Sequence, residues 1–316
     1  MSKSALFFCL TLLCAVTRNV ASQNKGGTPG QSAAGAGKMA VHRDVHLYPV
    51  KVDDKYGYMD RSGKLVLKAQ YSGASRFSEG LAAVQLQKAG KVGFIGESGQ
   101  LVIPLQFDFA EPFSEGLAAV YKDHLWGYVD KNGEIKIAPK FSVGGRFSEG
   151  LAACGLAGTF LFINPKGDSA IDHKFVAAMP FSEGVAAVRT QGKLMEFIDP
   201  SGKTVIQPKY TLAGEFAGGL APVELRVPDG MRWGFIDKQG NMTIPSRFFG
   251  AYPFAEGLAA VQTDNGKWGY ITRDGKLAVP AKYDKAEAFS NGLAQVWVDN
   301  KFGYIDSTGK YIREPK

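Results

Sequence analysis

Cysteine is scarce: the 316 residues hold three, and two of them, Cys9 and Cys14, stand near the start. Only Cys154 lies further on, so no intrachain disulfide framework is available to the rest of the chain. Cys154 occupies an apolar strand position, which predicts a buried thiol. Histidine is nearly as rare, with four copies. His42 and His46 flank Asp44, while His124 and His173 stand apart from any cluster of ligand types; the pattern reads as solvated imidazoles. There is no HExxH, no GxSxG and no pair of cysteines at zinc spacing. "SGKT" at Ser201–Thr204 imitates the end of a phosphate-cradling loop, but that loop needs glycine where Phe197 stands. These absences remove the common metalloprotease, serine hydrolase and nucleotide-binding readings. No catalytic residue, no cofactor and no metal ligand is expected.

One charge sign barely dominates. The 37 Lys plus Arg against 30 Asp plus Glu give +7, and without Lys3 and Arg18 the balance is +7 − 2 = +5. The lysines are spread through turns and alternate with acids, which describes a solvated surface and excludes a nucleic-acid partner. The single long apolar stretch, Ala5 to Val16, is too short to span a bilayer as a helix and suits a signal peptide over residues 1–22. Val20, Ala21 and Ser22 place the cleavage site before Gln23. Such a leader implies a secreted, periplasmic or cell-surface protein, touching membrane only through an uncleaved leader. Residues 23–45 are rich in Gly, Ser and Ala and read as a flexible linker.

What the chain has in abundance is glycine, 39 copies, and Phe plus Tyr, 21 + 12 = 33 copies. They recur in a phrase. FSEGLAAV occupies Phe77–Val84 and Phe113–Val120, with variants at Phe147, Phe181, Phe216, Phe254 and Phe289. Each is followed by a polar stretch, then an aromatic–glycine–aromatic strand such as Tyr56–Asp60, Trp126–Asp130, Trp233–Asp237 or Phe302–Asp306. A D-x-x-G turn and a short Val/Ile segment, often with proline (Pro104, Pro139, Pro208, Pro245, Pro280), complete the unit.

Spacing inside the unit is rigid except in one place. From Val84 to Gly93 the step is 9, from Val120 to Gly127 it is 7, and from Val223 to Gly234 it is 11. A segment that tolerates insertion is exposed, because a packed one would strand backbone groups. The LAAV and WGYID segments are therefore two strands of a hairpin with a free tip. The D-x-x-G turn leads into a third strand, which proline is expected to end. Residues 46–316 then form an all-β domain of eight three-stranded meanders. Aromatics Phe77, Phe113, Phe147, Phe181, Phe254 and Phe289 are expected to be buried between units. Glu79, Glu115, Glu149, Glu183 and Glu256 are expected on turns, since Gly218 and Asn291 replace them elsewhere.

The W-G-[FY]-[IV]-D-x-x-G-K strand and turn, with the IP and FSEGLA segments, resemble the WG (KWG) repeat of many bacterial proteins. The resemblance covers His46 to the C-terminus. Phe160–Asn164 and Met195–Asp199 depart from it by losing the glycine, and those units are expected to pack less regularly. The family resemblance implies an interaction scaffold. No unit is split between the two ends of the chain, which favours an open β superhelix, or solenoid, over the alternative of a closed propeller-like ring.

The turn acids recur once per unit at separated sites, too sparse for paired-carboxylate or calcium chemistry. The variable hairpin tips are the better candidates for contact. They contribute Lys88, Tyr121, His124, Arg189, Arg226 and Arg232 as candidate interaction residues. The expected partner is another protein or a cell-envelope component. A carbohydrate-binding or glycan-processing repeat protein is the alternative.

Overall fold

A computed structural model describes residues 46–316. The leader expected over 1–22 and the linker expected over 23–45 lie outside the described residues. The described chain is all β: eight antiparallel sheets whose strands follow one another in chain order. Blade 1 has three strands, Tyr48–Val52, Lys55–Met59 and Leu65–Tyr71. Blade 2 adds a two-residue strand, Gly73–Ala74, before Leu81–Gln85, Val92–Gly96 and Leu101–Phe107. That four-stranded order recurs in blades 3, 5, 6, 7 and 8.

The seams between blades carry the core. Five of the expected phenylalanines, Phe113, Phe147, Phe181, Phe254 and Phe289, are buried. Each packs on the aromatic of the preceding blade's WGY strand, as Phe113 on Phe94 at 4.9 Å, Phe147 on Tyr128 at 5.0 Å and Phe289 on Tyr270 at 4.8 Å between ring centroids. Phe77 makes the same contact with Tyr58 at 4.8 Å but is only half-buried. It lies beside the blade that has no short inner strand to cover it. A buried ring stabilises by roughly 1.5–3 kcal/mol, so one per seam accounts for much of the cohesion.

The glycine of the WG pair has a steric reason. A Cβ on Gly57, Gly93 or Gly127 would lie 2.5, 2.5 or 2.6 Å from the carbonyl oxygen of Leu67, Ile103 or Ile137 on the outer strand. A bulge brings that strand against the glycine in every such blade. The prolines do not end the outer strand, contrary to expectation. Leu101–Phe107 runs through Pro104, and Met242–Phe248 through Pro245. An edge strand has one side without a ladder, so a missing N–H costs nothing there and blocks edge-to-edge pairing.

The two units without that glycine behave differently. In blade 4, Leu161 stands in its place and the outer strand is lost, leaving the isolated bridges Phe160↔Phe175 and Ile163↔Ser169. In blade 5, Glu196 replaces it, yet Thr204–Tyr210 still pairs. The Glu196 carboxylate accepts a 2.8 Å hydrogen bond from Thr204 Oγ1, which holds the outer strand on.

The expected open superhelix is overturned: blade 8 closes onto blade 1, and the fold is an eight-bladed β-propeller. The contacts at the closing seam repeat those elsewhere. A Cβ on Gly133 would meet Ile103 of the previous blade at 3.1 Å, and one on Gly63 would meet the Ile312 carbonyl of blade 8 at 3.2 Å. Tyr270 donates to the Glu287 carbonyl at 2.8 Å, and Tyr304 to the Pro49 carbonyl at 2.7 Å. Tyr48, Val50, Met59, Leu293 and Tyr304 form one buried cluster across the join.

Side chains take over where a split blade would have supplied a strand. In blade 2 the amides of Ser75 and Ser72 donate to the carbonyls of Ala83 and Gln85. The matching carbonyls of blade 1, on Pro49 and Lys51, accept instead from the Tyr304 hydroxyl and the Arg313 guanidinium. Pro49 has no amide to leave unpaired at that edge.

Candidate interaction face

The blades share two faces of opposite character. The turn face carries the D-x-x-G and FSEG turns. Asp60 Oδ1 accepts from Ser62 Oγ at 2.6 Å, Ser62 N at 2.9 Å and Lys64 N at 3.1 Å. The Ser62 hydrogen bond, then those amides, hold its carboxyl below the usual carboxylate range; Asp199 and Asp306 repeat the arrangement with Ser201 and Thr308.

The FSEG segments join neighbouring blades. Ser78, Ser114, Ser148 and Ser182 each donate to the carbonyl of the next blade's Phe, at 2.7, 2.7, 2.6 and 2.6 Å. The amides of Gly116, Gly150, Gly184 and Gly292 donate to Glu79, Glu115, Glu149 and Glu256 of the preceding blade, at 3.1, 2.9, 2.9 and 2.8 Å. Those glutamates stand on turns as expected, with φ between 52 and 55°, a left-handed region that disfavours a side chain. The hydrogen bond to the next blade offsets that strain. Gly218 and Asn291, which carry no carboxylate to send to the next blade, hold the same turn position at φ 61 and 54°.

Near the axis, ion pairs span a blade each: Arg76 with Glu287 at 2.7 Å and Arg146 with Glu215. Burial pushes the Glu111 carboxyl up to about 7, against the opposing pull of Arg146. Cys154 is buried as expected, its thiol raised by burial, with Sγ 3.0 Å from the Tyr128 hydroxyl. Among the described residues no three His, Cys, Asp or Glu side chains gather at metal-binding distance.

The tip face holds the hairpin ends and all six candidate residues. Lys88 is exposed on the blade 2 tip. In blade 3, Asp123 and His124 form a tight turn at φ 52 and 67°, while Tyr121 lies between Phe109 and Trp126 at centroid distances of 5.8 and 5.3 Å. Arg189 ends the strand Ala186–Arg189 in blade 5. In blade 6, the strands Ala221–Val227 and Gly230–Ile236 form a long ribbon that carries Arg226 and Arg232. Arg232 lies 3.9 Å over the Phe249 ring. The six do not converge on one point: Lys88, Tyr121 and His124 lie on blades 2 and 3, and Arg189, Arg226 and Arg232 on blades 5 and 6.

The residues missed from the sequence are Phe109 and Phe249, each 44% exposed. Both follow closely on the buried aromatic that ends the outer strand, Phe107 and Phe248. A second aromatic there was the available signal, masked by the many core aromatics around it.

The chain matches the profile of the WG containing repeat over residues 56–88, 93–124, 126–153, 162–193, 197–226, 233–268 and 268–302. It matches no curated protein in sequence. Among solved structures it is similar to the dihydro-heme d1 dehydrogenase NirN in complex with DHE, at 12% identity and a TM-score of 0.55, over 86% of this chain and 73% of that one. It is also similar to the computationally designed Ika8 protein, at 15% identity and a TM-score of 0.53, over 76% of this chain and 85% of that one. At such identities the likeness is one of fold.

Proposed function

The chain belongs to the WG containing repeat family, and from that premise we propose that it is a non-catalytic scaffold. It is secreted or surface-exposed, and it binds another protein or a cell-envelope component through its tip face. One observation carries the reading: the repeated charged and hydroxyl groups of the turn face bond the fold itself, whereas the tip face offers unlike loops with exposed cations and aromatics. A rigid ring bearing dissimilar loops is a common way to build a recognition surface. The test replaces Glu224–Arg232 by an Asn-Gly turn in the full chain and compares capture from native envelope extract by mass spectrometry. Lost capture with an unchanged melting profile supports the reading. If several trimmed tips leave capture intact, the tip face is not the contact.

A second reading, glycan binding, draws on the blade 3 group of Phe109, Tyr121 and Trp126, whose part-exposed rings suit stacking against sugar faces. A glycan array with the Phe109→Ala variant as control tests it. No retained glycan eliminates it.

A further inference from the structure

Strand alternation sets which side chains of blades 5 and 6 look at each other across their seam. Ala187 and Met195 of blade 5 pack with Val223 and Leu225 of blade 6 in one cluster. Arg189 lies two residues beyond Ala187 on the same strand, so it stands on that same face, toward blade 6. Arg232 pairs in register with Leu225, so it stands on the facing side, toward blade 5. Two guanidiniums thus flank one seam at the tip face. Lys193 adds a third cation in the turn between the blade 5 strands.

Among the described residues none of the three has a carboxylate within ion-pair distance. The acids of these hairpins are directed elsewhere. Glu196 is buried and bonded to Thr204, and Glu224 alternates onto the opposite face of the ribbon, leaving Asp229 at its end. Like charges facing each other without counter-charges repel. The arrangement is also pre-organised: Arg232 rests on Phe249 at 3.9 Å and donates to the Met231 carbonyl at 2.9 Å. A guanidinium held in this way presents its fork for a carboxylate.

We propose that the tip-face seam between blades 5 and 6 is a docking site for an acidic polypeptide segment, whose carboxylates sit between Arg189 and Arg232. Apolar exposure beside the cations selects a polypeptide over an acidic polysaccharide. Leu194 is 48% exposed and Phe249 44%, surfaces that fit apolar side chains between acidic ones. The site rests on the scaffold reading above and specifies its partner.

The test uses the full chain and a fluorescent twelve-residue peptide of alternating glutamate pairs and leucines. Controls are the same peptide with glutamine for glutamate, and polygalacturonate. The Glu/Leu peptide is expected to bind, weakening about tenfold as salt rises from low to several hundred millimolar. The Arg189→Glu/Arg232→Glu variant is expected to lose about 30-fold or more. Lys166→Glu, exposed on the turn face of blade 4, is expected to stay within about twofold. Unchanged binding by the double variant, equal binding of the glutamine peptide, or tighter binding of polygalacturonate each overturns the proposal. Circular dichroism melting establishes that both variants fold. If wild-type and double variant capture the same envelope protein equally, this site is wrong while the scaffold reading stands. If wild-type captures nothing from the envelope, the scaffold reading falls and the site with it.

Discussion

The two faces of the ring use similar residue types for opposite ends. On the turn face, Ser114 and Glu115 of blade 3 bond three backbone groups of blade 4, and Asp60 or Asp306 closes its own turn. On the tip face, Lys88, Arg189 and Arg226 bond nothing of comparable structural weight, and Phe109 and Phe249 lie open. The lesson is that the charges repeated through the turn face mark seams, whereas the tip-face cations Arg189 and Arg232, which have no ion pair among the described residues, are free to recognise something. Substitutions should therefore separate stability from binding according to face.

The sharpest break is expected at a seam aromatic. Phe147→Ala, which removes the ring packed on Tyr128 beneath the turn face, should cost about 3–5 kcal/mol in urea unfolding. A smaller loss would mean that seams are held mainly by hydrogen bonds. Next comes the Ser114→Ala/Glu115→Ala pair, which removes three hydrogen bonds and leaves alanine at a left-handed position. It should cost about 2–3 kcal/mol, with peptide or envelope binding retained. Glu115→Gly should cost less than Glu115→Ala, because glycine accepts φ 54° without strain. The reverse order would deny the strain.

A pH series sharpens the comparison at the axis. The folded Glu111 carboxyl is raised to about 7 by burial, so its protonated form favours the fold, and that contribution fades as pH climbs towards and past 7. Glu111→Gln should melt like the parent below the ordinary glutamate range and at higher temperature than the parent above about pH 7. Parallel melting curves across the whole range would exclude a raised carboxyl. The turn acids Asp60, Asp199 and Asp306 work in the opposite direction. Their lowered values stabilise the fold at neutral pH, and this is lost on acidification. The smallest effect belongs to the tip face: Lys88→Ser should shift unfolding by no more than about 0.5 kcal/mol. A larger shift would mean that this tip is structural.

Much of this was legible in the chain. Constant spacing from the D-x-x-G glycine to the next phenylalanine identified the meander, and the one variable gap identified the exposed hairpin tip. Phenylalanines repeated in register read correctly as seam residues, since only a repeated environment keeps a large apolar group in every copy. The glutamates read as turn residues, but not as links to the next blade, because their partners are backbone amides about 35 residues away that no pattern distinguishes. The proline reading failed because an unpaired strand edge looks, in sequence, like a strand end. Glu196 shows the same gap: its buried bond to Thr204 preserves a blade that the missing glycine alone would have marked as irregular.

Sequence alone determined the repeating unit, its strands and the residues that cement neighbours, since these depend on contacts within one unit or with the next. Only tertiary structure decided that the units close into a ring. Closure depends on the rotation accumulated over all blades and on Tyr304, Arg313 and Ile312 meeting Pro49, Lys51 and Gly63 from the far end of the chain. The same distance rule governs the seam of blades 5 and 6. Arg189 and Arg232 come to flank one seam through the packing of two sheets, which places them on facing sides without leaving a spacing to read.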